Sequence, residues 1–74
     1  MKISAEEKVK RREEMLAAAF RLFTEQNIDS VQMQDIARET GYTTRSLNRY
    51  FRTKDALVIA VAVWAWEQFF AVNR

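Results

Sequence analysis

At 74 residues the chain makes one small domain, and a chain of this size buries only about 60% of the surface that its unfolded form exposes, so its core must be economical. It contains no cysteine, which excludes a disulfide framework and thiolate metal sites, and the charged start MKISAEEKVKRREE has no secretory apolar run, which points to a cytoplasmic address. The net charge of +2 is too small to indicate nucleic acid by itself.

With no proline and one glycine there is little material for tight turns between strands, whereas Ala, Leu, Glu, Gln, Arg and Met abound, so an all-α fold is expected. Ser4 and Glu7 have the spacing of a capping box, which starts helix 1 near Ala5 and carries it to about residue 26. Its first turns, EEKVKRREE, read as a solvated charged face. From Met15 onward Ala18, Ala19, Leu22 and Phe23 recur at helical spacing, with Leu16 and Phe20 widening the stripe that packs on the helices to come. The segment EQNID ends this helix, with Asn27 expected in a left-handed conformation and Asp29 or Ser30 capping helix 2.

Helix 2 is expected over about 31–39. Met33, Ile36, Ala37 and Thr40 share one face, while Gln32, Gln34, Asp35 and Arg38 point away from it. Gly41 follows directly, where positive φ carries no Cβ penalty and the helix can stop. Thr43 then caps helix 3, about 44–50, whose inward stripe is Leu47 and Tyr50 with Phe51. After the turn at Arg52-Thr53, Thr53 caps helix 4 from Lys54. Asp55 suits the helix dipole there, whereas Lys54 does not unless it is screened or an external anion sits over that terminus.

Helix 4, expected over 54–74, is apolar on every side. Leu57, Ala60, Val61 and Trp64 form an inward stripe, and Val58, Ile59, Val63, Trp66, Phe69 and Phe70 place apolar bulk elsewhere. Such a helix needs cover beyond three short helices, from another copy of the chain or from a further domain. A membrane span is the weaker reading, because the uninterrupted apolar run Ala56 to Trp66 is 11 residues long, against roughly 20 needed to cross a bilayer.

Charge is unevenly distributed. Residues 1–30 carry six basic and six acidic side chains, whereas the run from Thr43 to Lys54 holds Arg45, Arg49, Arg52 and Lys54 with no acid. A local basic patch on a nearly neutral chain points to phosphate more sharply than global charge does. Taken together, Val31 to Tyr50 has the pattern of a helix-turn-helix, whose second helix enters the major groove of DNA.

These residues resemble a known family. Met15, Leu16, Ala18, Ala19, Leu22 and Phe23, then Val31, Met33, Asp35, Ile36, Ala37, Gly41, Tyr42 and Thr43, then Leu47, Tyr50, Phe51, Thr53, Lys54 and Leu57 are similar in type and spacing to the N-terminal DNA-binding domain of TetR-family bacterial transcriptional regulators. The likeness spans roughly residues 12–61. It implies a small, homeodomain-like helical bundle with a DNA-binding core over 1–53 and a connecting or dimerisation helix over 54–74. It also implies a homodimeric repressor on a palindromic double-stranded operator, with a small-molecule effector acting only through a C-terminal domain not included in these residues.

Carried over by position, the resemblance directs Thr44, Arg45, Ser46 and Asn48 to bases or the nearby backbone, with Arg45 suited to guanine and Asn48 to adenine. It places Gln34 near a base edge, Tyr50 and Lys54 on phosphate, and Gln32 as a further phosphate contact. Arg49 joins them through its place in the basic cluster. Three departures matter: Asn48 stands where a tyrosine is common, Val31 where a threonine often meets phosphate, and Asn27 where glycine is usual. They shift phosphate anchoring toward Arg45, Arg49 and Lys54.

Set against this is a small helical module that docks on a protein or membrane surface through its C-terminal helix; it accounts for residues 56–72 and leaves the basic run unexplained. Trp64 and Trp66, two positions apart, lie on different helix faces and read as packing rather than a ligand pocket. Tyr42 reads as packing in the turn. Histidine, cysteine and glycine-rich phosphate loops are absent, so neither catalysis nor a cofactor or metal is expected.

Overall fold

The computed structural model describes residues 3–71. Among them the chain forms helix α1 (Ala5–Glu25), a 3₁₀ turn (Ile28–Ser30), α2 (Met33–Thr40), α3 (Thr44–Tyr50), α4 (Lys54–Trp66) and a π-helical turn (Glu67–Ala71), with no strand. The long α1 packs against both α2 and α4, while α3 lies chiefly on α2. One core joins the four helices: Met15, Leu16, Ala18, Ala19 and Leu22 of α1, Val31, Ile36 and Ala37, Leu47 of α3, Phe51, and Leu57 and Val61 of α4. No polar or charged side chain is buried among the described residues. Apolar burial is therefore the term that holds the bundle together.

Local hydrogen bonds set most helix ends where expected. Ser4 Oγ accepts the Glu7 N–H at 3.1 Å, Thr43 Oγ1 that of Ser46 at 3.0 Å, and Thr53 Oγ1 that of Ala56 at 3.0 Å. The reciprocal half of the Ser4 capping box is replaced by an ion pair, for the Glu7 carboxylate accepts from Arg11 at 3.3 Å. Gly41 takes φ 84° and donates its N–H to the Ala37 carbonyl at 2.9 Å, closing α2.

The segment between α1 and α2 departs from expectation. Asn27 has φ −65° and ψ 143°, and no residue but Gly41 has positive φ among those described. The chain leaves α1 instead through an extended Gln26, whose N–H still reaches the Leu22 carbonyl at 3.0 Å. Asp29 and Ser30 do not cap α2 either; they belong to the 3₁₀ turn. Helix α2 begins at Met33 rather than near residue 31, because Val31 is extended and its side chain is fully buried. The cap is supplied from inside the helix, as the Asp35 carboxylate accepts the Gln32 N–H at 2.8 Å.

Helix α4 buries Leu57 and Val61 and half-buries Ala60 and Trp64, as its inward stripe requires. Ile59, Val63, Trp66, Phe69 and Phe70 are more than half exposed. The regular helix gives way to the π-helical turn after Trp66, and the expected extension over 72–74 lies outside the described residues. Phe20 of α1 meets Trp64 edge-on and Phe69 tilted, each with centroids 5.8 Å apart, while Trp66 and Phe70 stack at 4.7 Å. Among the described residues no helix is long and apolar enough to cross a membrane.

The charged early turns of α1 are more than a solvated face. Trp64 Nε1 donates to Glu13 at 3.0 Å, Tyr42 donates its hydroxyl to Glu14, and the Arg11 and Arg12 guanidinium carbons stand 5.5 Å from the ring centroids of Tyr42 and Phe51. The hydrogen bond to Glu14, aided by burial and by repulsion from that carboxylate, raises the Tyr42 pKa above its ordinary 10.0.

Two predictions follow from these local features. A Cβ at Gly41 would meet nothing within 4 Å, so Gly41→Ala should cost only backbone strain, about 1–2 kcal/mol, and lower the melting temperature by several degrees, with Gly41→Asn costing less. Equal melting of parent and alanine variant would contradict the left-handed cap. Because the Tyr42 pKa is raised, its hydrogen bond contributes stability below pH 10 that is lost as pH climbs through the folded-state value. Tyr42→Phe should thus be less stable than the parent near neutral pH, by a gap that narrows above pH 10 in denaturant titrations; a gap independent of pH would refute this.

Candidate nucleic-acid interface

Helix α3 is only seven residues long, so it depends on its ends and on one buried side chain. Leu47 is that side chain, and Phe51, which ends the helix, is buried beside it. With Leu47 inward, positions 45, 48 and 49 lie outward, since 45 shares a face with 48 and 49. Arg45, Asn48 and Arg49 are accordingly exposed, and so is Thr44, the first residue of the helix.

The remaining sequence candidates flank this face. Ser46 and Tyr50 are half-buried on the side of α3 that turns toward the body, and Tyr50 packs against the core. Gln32 and Gln34 are exposed at the start of α2. Lys54 is half-buried at the first position of α4. Val31, which replaces a common phosphate-contacting threonine, has its side chain wholly inside the core and has no reach to a ligand.

Electrostatics sharpen the basic face. Glu7 is paired with Arg11 and Glu39 with Arg21, while Asp35 takes Arg38 at 3.3 Å on the oxygen that does not cap α2. Asp35 is the acid carried by α2's outer half, and its charge is thus offset locally. Among the described residues no carboxylate lies within ion-pair distance of Arg45, Arg49, Arg52 or Lys54. Four cations between residues 45 and 54 are left to solvent or to an external anion, and guanidinium forks match phosphate and guanine bidentately. The described residues hold no group of acids, histidines or cysteines arranged for a metal ion.

Sequence reasoning missed the support that α1 gives this face. Arg11, Glu14 and Tyr42 tie α1 to the turn ahead of α3, and Arg12 ties it to Phe51 behind. A signal was present for Arg11, which stands four residues before the buried Met15 and is half-buried, whereas Arg12, four before Leu16, is itself exposed.

A family profile described as bacterial regulatory proteins, tetR family, matches residues 15–61, from the first buried methionine of α1 through the helix-turn-helix to the last buried valine of α4. No curated protein and no solved structure gives a significant match to the chain. With well over half of its length matched, and with four helices of which α3 presents an exposed, basic face, the chain belongs to the tetR family of bacterial regulatory proteins and carries that family's helix-turn-helix DNA-binding domain.

Proposed function

We propose that the chain acts as a transcriptional repressor that reads a palindromic operator as a homodimer, with α3 in the major groove. The observation that carries this reading is the outward set Thr44, Arg45, Asn48 and Arg49, exposed on a helix whose opposite side is locked by Leu47 and whose cations have no acidic partner among the described residues. Arg45 pairs with a guanine through two hydrogen bonds and Asn48 with an adenine. Thr44, Ser46 and Gln34 reach neighbouring base edges or backbone. Gln32, Arg49, Tyr50 and Lys54 anchor to phosphates, fixing register without reading sequence.

The homodimer is supported by α4. Ile59, Val63 and Trp66 are exposed at successive spacings of four and three residues, the rhythm of a helix seam that packs against another helix, and the exposed Phe70 of the turn that follows stacks on Trp66. Two-fold symmetry would then place the half-sites one helical turn, or a multiple of it, apart. A small-molecule effector would act through a further domain, by changing the separation of the two reading heads through α4. The core over 1–53 and the segment 54–74, which begins with α4, are thus assigned separate tasks, reading and coupling.

The same exposed apolar side chains favour a second reading, in which α4 docks on an unrelated protein or a membrane surface and α3 has no role. Alanine substitutions separate the two. On DNA, Arg45→Ala should lose about tenfold or more in affinity for a preferred duplex and relax its preference at one base pair. Lys54→Ala should weaken all sequences alike and lower the salt slope of log affinity by about 1. Parental DNA binding by both variants would remove α3 and the start of α4 from the interface.

A further inference from the structure

Two adjacent side chains of α1 reach opposite ends of α3. The Arg11 guanidinium lies over the ring of Tyr42, two residues before α3 begins, and the Arg12 guanidinium lies over the ring of Phe51, the residue that ends it, each with its central carbon 5.5 Å from the ring centroid. Neighbouring residues on an α-helix diverge by roughly 100°, so consecutive arginines are suited to spreading in this way. Tyr42 is held a second time, through its hydroxyl to Glu14 one turn further along α1.

These contacts matter because α3 is otherwise held at few points. Its close backbone neighbour is α2, its inward side chains are the buried Leu47 and the half-buried Tyr50, Phe51 is buried where it ends, and it is two turns long. So short a helix, held on its inner side alone, can still rock about Leu47. Contacts at its two ends have the longest lever against rocking. We infer that Arg11 and Arg12 are positioning residues for DNA reading: they set the pitch of α3 in the groove, and so the discrimination between sequences, without themselves touching the duplex.

The inference rests on the proposed use of α3 as the reading helix. It requires the flat, stackable guanidinium rather than the charge alone, and lysine at a stacked arginine site is not an equivalent replacement. The double variant Arg11→Lys plus Arg12→Lys keeps every formal charge while withdrawing both planar groups from the rings. Its binding should be measured against two probes, a duplex enriched by the parent chain from a randomised pool and a scrambled duplex of the same length and composition. Unfolding should be followed alongside, with assays run well below the melting transition.

The expected result is a specific-to-scrambled affinity ratio lower by roughly threefold to tenfold, with affinity for the scrambled duplex and its salt slope unchanged. A purely structural role would lower the melting temperature and leave the ratio intact, which would overturn the proposal. A direct phosphate contact would be kept by lysine, again with an unchanged ratio, and would overturn it too. Arg45→Ala in the same assay separates the two levels: if it lowers the ratio and the double lysine variant does not, only the positioning role fails. If Arg45→Ala leaves the ratio unchanged, the use of α3 as reading helix fails, and the positioning role with it.

Discussion

A seven-residue helix is not stable alone in water, because forming its first turn fixes several backbone angles for a single hydrogen bond. Helix α3 exists because Leu47 is buried completely in a core already closed by Met15, Leu16, Ile36 and Leu57. Burying one leucine contributes about 1.5–3 kcal/mol, enough to orient two turns of helix but not to stiffen them in every direction. The rest of α3 is secured at its ends, by the Thr43 cap, by Phe51, and by the α1 side chains that meet Tyr42 and Phe51. One inward position on so short a helix also dictates which residues face outward, and here those are Arg45, Asn48 and Arg49, with Thr44 exposed at the helix start.

Charge follows the same division of labour. Half of the acidic side chains make internal contacts: Glu7 pairs with Arg11, Asp35 caps α2 and pairs with Arg38, Glu39 pairs with Arg21, and Glu13 and Glu14 accept hydrogen bonds from Trp64 and Tyr42. The cations between residues 45 and 54 have no such partners among the described residues. A chain with a net charge of only +2 can therefore present a locally positive face, which is what attraction to a polyanion requires. The exposed apolar side of α4 is a separate resource, lying along Ile59, Val63 and Trp66, with Phe70 in the turn that follows.

Much of this architecture was legible in the residues because its signals are local. Ser4, Thr43 and Thr53 cap helices through hydroxyls placed three residues ahead of the donors they satisfy, and Gly41 is the only glycine, standing where a left-handed residue is needed. The start of α2 was not legible, because whether Val31 is helical or extended depends on its burial in a core assembled from distant residues. Asn27 misled for a similar reason: an extended Gln26 and a 3₁₀ turn end α1 without any left-handed residue. At the site, the exposure of Arg45, Asn48 and Arg49 and the inward lean of Tyr50 could be read from the spacing around Leu47, and the half-buried state of Ser46 could not. The α1 contributions were hidden because charged side chains at helical spacing look solvated until the aromatic ring opposite them is known.

Whether α3 reads sequence is tested most directly by selecting binders of this chain from a randomised duplex pool, repeated at several salt concentrations. The predicted result is enrichment of a palindromic motif whose half-sites are spaced by whole helical turns, with log affinity falling by about 0.9 per decade of salt for each phosphate neutralised. Binding at low salt with no motif enriched, at a concentration high enough to pair two chains, would contradict it and leave a basic surface that attracts DNA without reading it.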